Sequence, residues 1–100
     1  MRPDAAVAPG RPLLGTPIPI LRVSNGAAAE AFYVGRLGFR LEFTYLAAPP
    51  HPDPSYRGIS RDRAWLHLSS FGGDGPIGAS VYLPVDDVDA LFAGFRGKGI

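Results

Sequence analysis

The stretch AFYVGRLGFRLEF, Ala31 to Phe43, decides how the rest of the chain is read. Its first half tolerates a helix and ends at Gly38, the residue most at ease in the left-handed conformation that closes one. Its second half changes period. In FRLEFTYL, Phe39, Leu41, Phe43 and Tyr45 alternate with Arg40, Glu42 and Thr44, the pattern of a half-buried strand. A helix that hands over to a strand at a glycine is therefore predicted.

Toward the N-terminus, Ser24-Asn25-Gly26 offers side-chain caps for that helix. Before it, PIPILRV, Pro17 to Val23, is apolar and β-branched enough for a first strand, with its prolines tolerable only near the start or on an edge. Toward the C-terminus, AAPPHPDPS, Ala47 to Ser55, holds four prolines, which remove backbone donors and leave a stiff surface loop. YRGIS and AWLHLSSF read as strands around the polar turn Arg61-Asp62-Arg63, and GGDGPIG as a further loop. Then come a strand, ASVYLPV, a cap, Asp86-Asp87, and a helix, VDALFAGFRGKG, with Val88, Leu91, Phe92 and Phe95 at helical spacing.

The order is β-α-β-β-β followed by β-α, and the two βα beginnings match when overlaid. Leu21 and Val23 fall on Leu83 and Val85, Asn25 on Asp87, and both helices end in glycine plus a large apolar residue, Gly38-Phe39 and Gly99-Ile100. The expected class is α+β, built of paired βαβββ modules with the second incomplete in this chain. The boundaries that follow are a flexible leader over 1–15 and one domain over 16–100, divided into a first module, 16–71, and a partial second, 78–100. Read once more, the repeat calls for three further strands. A truncated sequence is therefore expected, one that self-associates by exchanging modules or is an unstable piece of a longer parent.

Composition narrows the function classes. One hundred residues, 46% hydrophobic and 19% charged, fit one globular domain. The net charge of +1 comes from scattered residues and gives no footprint for nucleic acid. No run approaches the ~20 apolar residues of a membrane span, so no membrane partner is expected. The absence of cysteine excludes disulfides, thiolate catalysis and cysteine-based metal sites, and is compatible with the reducing cytoplasm, the expected location.

AFYVGRLGFRLEF resembles the "FY…LGF" helix-to-strand signature of the glyoxalase, bleomycin-resistance and extradiol dioxygenase (vicinal oxygen chelate) superfamily. WLHLSSFGGDGPIGASVYLPVDDVDALFAGFRGKGI, Trp65 to Ile100, resembles its bleomycin-resistance-like branch. The resemblance implies two βαβββ modules paired into a cupped sheet. In metal-dependent members it implies ligands on the first and fourth strands of each module. Here those positions correspond to Ile18, which cannot bind a metal ion, to His67, which can, and to Ser80, a poor ligand. The resemblance thus implies a small-molecule-binding protein, of an antibiotic-sequestering kind, rather than an enzyme. It implies a homodimer with no metal and no cofactor, taking a small aromatic or amphipathic molecule. The alternative is a metal-dependent lyase, isomerase or dioxygenase of the same superfamily.

Strand alternation puts Trp65, His67, Ser69 and Phe71 on one face and Leu66 and Leu68 on the other. The ligand-binding candidates are Trp65, His67, Ser69, Tyr82 and Ile20, an aromatic lining with a few polar groups. No catalytic residue is assigned. His67 stands equally for a ligand contact or a histidine satisfied by its neighbours, and less readily for a metal ligand, while Trp65 and Tyr82 stand for pocket or core. His51 reads as a solvated loop residue, Asp86-Asp87 as a helix cap, and Gly72 to Gly75 as a turn.

Overall fold

The computed structural model describes residues 9–100. It is a mixed α+β fold with a four-stranded sheet. Strand β1 (Ile20–Arg22) leads into helix α1 (Gly26–Glu30), which continues as a π-helical segment over Ala31–Arg36. Strands β2 (Arg40–Leu46), β3 (Ser55–Arg61) and β4 (Ala64–Ser69) follow, and helix α2 (Val88–Gly97) comes last. The sheet order is β1-β4-β3-β2, with β1 parallel to β4 and the other neighbours antiparallel. This is the βαβββ unit expected of the first module. The part of the expected leader before residue 9 lies outside the described residues, and residues 11–19 form neither helix nor strand. Among the described residues no helix is long and apolar enough to cross a membrane.

Local chemistry accounts for the boundaries. The Asn25 side chain accepts from the Ala28 amide at 3.0 Å, and Asp87 does the same for Ala90 at 3.0 Å, so each caps its helix as the matched positions imply. Gly38 and Gly99 take φ of 80° and 77° where the two helices close. Thirteen positions separate Asn25 from Gly38, but twelve separate Asp87 from Gly99. The π-helical turn absorbs the difference. A bond from the Leu37 amide to the Phe32 carbonyl, 3.0 Å, spans five residues and fits one more residue into the same rise.

The core lies between α1 and the sheet. Phe39, Ile59, Leu66 and Leu68 are buried there, with Leu21, Val23, Tyr33, Val34 and Leu37 against them. Leu66 and Leu68 therefore face the helix and Trp65 and His67 the opposite side, as alternation requires. An ion pair ties the layers together. Arg57, on the helix side of β3, reaches Glu30 of α1 through its Nε at 2.7 Å.

Two expectations need correction. ASVYLPV does not form a strand, so Leu83 and Val85 do not face the helices and both are exposed, while Val81 alone packs on the core. The outer edge of β1 accepts only an isolated bridge from Ile77 to Arg22, and Pro76 and Pro84 lack the donors a ladder needs. The second correction concerns β2. Leu41 pairs with Ile59 but Phe43 with Gly58, so a bulge at Glu42 inserts one residue. Phe39 and Leu41 lie on the helix side, whereas Phe43 and Tyr45 turn to the open face.

Candidate functional site

The open face of the sheet carries three rows of side chains, fixed by the strand register. The first row is Arg22, Ser69, Tyr56 and Tyr45; the second is Ile20, His67, Gly58 and Phe43; the third is Trp65, Ser60 and Arg40. Four expected site residues, Ile20, Trp65, His67 and Ser69, are thus brought to one face. Tyr82 is not joined to them by any strand pairing: it sits in the irregular stretch after β4 and is 88% exposed. His51 is exposed in the proline loop.

The middle row explains the setting of His67. Gly58 leaves space that the Phe43 ring fills, so that a Cβ on Gly58 would collide with that ring. Phe43 meets the His67 imidazole edge-on, centroids 5.4 Å apart, and stacks near Tyr56 at 6.3 Å. Tyr56 Oη lies 2.8 Å from His67 Nδ1. Burial, and then the negative charge of Asp74, push the Tyr56 phenol above its ordinary value, so it stays protonated and able to donate to Nδ1. In the tautomer where the phenol donates to Nδ1, Nε2 carries the ring proton.

At the end of the first row the chain makes an open groove of about 500 Å³ lined by Tyr45, Tyr56, Phe71, Gly73 and Asp74. A turn closed by the Asp74 amide on the Phe71 carbonyl, 3.2 Å, brings those two side chains together. Phe71 stacks on Tyr45 with centroids 6.3 Å apart and planes 19° from parallel. The buried Ser69 hydroxyl donates to Asp74 Oδ2 at 2.6 Å and fixes the carboxylate. Tyr45, Tyr56 and Asp74 were not among the sequence candidates. Tyr45 was hidden by the bulge, and Asp74 by a glycine-rich turn that reads as mere connection.

A second polar cluster lies on the helix side and is structural. Asp53 Oδ1 accepts from the Ser70 and Ser55 hydroxyls, at 2.6 and 2.9 Å, and from the Gly26 amide at 3.2 Å. Ser55 Oγ in turn accepts from Arg57 Nη1 at 2.6 Å. The Ser70 bond first, then those of Ser55 and Gly26 and the charge of Arg57, hold the Asp53 carboxyl below its ordinary value against the opposing effect of burial. The proline loop is thereby pinned to the start of α1.

As for a metal, no three His, Asp or Glu side chains gather among the described residues. His67 is the one competent side chain of the positions considered, and Tyr56 engages one of its nitrogens. Ile18 and Ser80 lie outside the strands and are exposed. These residues do not fit a metal centre by themselves.

A βαβββ unit with this strand order, its core under one helix and its opposite face open and aromatic, defines a module class rather than an activity. A family profile described as Glyoxalase superfamily protein matches residues 6–100, and the chain belongs to that superfamily. No curated protein matches it significantly.

Proposed function

We propose that the chain is a small-molecule-binding protein of the bleomycin-resistance-like kind, holding a planar or amphipathic ligand against the open face of the sheet without metal chemistry. What supports the reading is the gathering of Phe43, Tyr45, Tyr56, Trp65 and Phe71 on that face around one imidazole, where a metal enzyme needs several ligands. His67 acts here as a hydrogen-bond donor through Nε2 and not as a metal ligand. Trp65 and Ile20 supply apolar contact and Ser69 a polar one. The protein works as a homodimer in the cytoplasm.

Trp65 is the only tryptophan and is 39% exposed, so it reports on this face. Titration with planar aromatic compounds and with a glycopeptide antibiotic should quench its emission saturably, and sedimentation should give twice the chain mass. Added nickel, zinc, iron or manganese should leave the melting temperature unchanged. A stoichiometric metal that raises the melting temperature by several degrees would move the reading to a metal-dependent lyase, isomerase or dioxygenase.

A further inference from the structure

The groove at the end of the first row has chemistry that the open face as a whole lacks. Its walls are three aromatic rings, and its one charged lining group is Asp74. The Asp74 carboxylate spends Oδ2 on the Ser69 hydroxyl. The ion pairs among the described residues, Arg40 with Glu42, Arg57 with Glu30 and Arg61 with Asp62, leave it out. Arg22, at the other end of the same row, is not part of the lining and forms no ion pair with it. A fixed carboxylate beside electron-rich ring faces is complementary to a positive charge wrapped in apolar groups, because the rings attract the cation and the alkyl substituents bury area against them.

We propose that the groove formed by Tyr45, Tyr56, Phe71 and Asp74 binds an organic ammonium group. The inference rests on the small-molecule reading above and names the charged part of its ligand. A neutral molecule of the same shape keeps the apolar contact but loses the attraction to Asp74, and an anion is repelled. Selectivity for charge at constant shape is therefore the signature.

Three probes of nearly one shape isolate it: choline, its neutral analogue 3,3-dimethyl-1-butanol, and the anion 3,3-dimethylbutyrate. Each is titrated into the full chain while the ring resonances of Tyr45 and Phe71 are followed by NMR. Choline should bind about tenfold more tightly than the alcohol, which a cation–π contact plus one carboxylate supplies, and the butyrate should bind least. Asp74→Asn keeps an acceptor for Ser69 and should bring choline to parity with the alcohol. Phe71→Leu should weaken choline while leaving the fold intact. Equal binding of choline and alcohol to the unaltered chain, or an Asp74→Asn variant that still prefers choline, overturns the ammonium assignment. So does failure of all three probes to move the Tyr45 and Phe71 signals. Trp65 quenching by uncharged aromatic compounds would in each of those cases still uphold the broader binding reading, and its loss alone would count against that one.

Discussion

Replacing Gly26 with alanine should destabilise the protein, although the same change in an ordinary helix stabilises it. A glycine-to-alanine exchange at a helical position is worth ~0.5–1 kcal/mol in favour of folding, through lost freedom of the unfolded chain. At Gly26, however, the new methyl group would occupy space held by Arg57 Nη1 and Ser55 Oγ, both on buried residues. Moving the guanidinium away breaks its bond to the Ser55 hydroxyl, and a hydrogen bond to a charged group contributes ~1.5–3 kcal/mol. The net should be a loss of about 1–2 kcal/mol, a factor of roughly five to thirty in the folding equilibrium. Gly35 is the control. It lies in the π-helical segment of the same helix, and a Cβ there would meet nothing within 4 Å. Urea denaturation of the two variants and the parent, with a common slope, measures both effects. A Gly26→Ala variant as stable as Gly35→Ala would refute the account of the polar cluster as a packed, size-limited unit.

Acid should erode stability through Asp53. Its folded-state pKa lies below the unfolded one, so the contribution is fully present above the ordinary 3.8 and is lost as pH falls through the lower folded value. Urea midpoints taken from pH 6 downward should fall less steeply for Asp53→Asn than for the parent. Leu68→Ala, at a position 1% exposed, should cost ~2–5 kcal/mol by calorimetry or denaturation. Gly58→Ala should behave differently. Its methyl group displaces only the exposed Phe43 ring, so stability should change little while Trp65 quenching by ligand weakens; a large loss of stability would show that ring to be part of the core. Tyr56→Phe should leave the fold intact and broaden the tautomer population of His67 in nitrogen NMR spectra.

Features that rest on local chemistry were legible in the sequence. Both caps, both closing glycines and the split between Leu66 and His67 follow from residue type and spacing, and each holds in three dimensions. What needed a partner was not legible. ASVYLPV has a strand's composition, but a strand exists only where another edge bonds to it, and here β1 takes Ile77 alone. The Asp53 cluster joins residues up to 27 apart in sequence, and no spacing rule brings them together. Of the groove, the sequence showed the aromatic content but not its side, because alternation counts residues and takes no account of a bulge.

That bulge makes the inventory of the open face a matter of parity. Phe43 and Tyr45 reach it because one residue, Glu42, is counted on β2 but has no counterpart on β3. Removing that residue's codon would restore a regular ladder with Phe43 still opposite Gly58 and both rings still on the open face; what would send them beneath the helix is Glu42 itself pairing with Gly58, a one-residue slip that leaves the sequence unchanged. Two homologous chains that differ by that one residue would look out of step in an alignment and would still offer the same wall to a guest. The wall that a guest meets in proteins of this shape is thus set by how β2 pairs with β3 and not by the alternation along β2 alone.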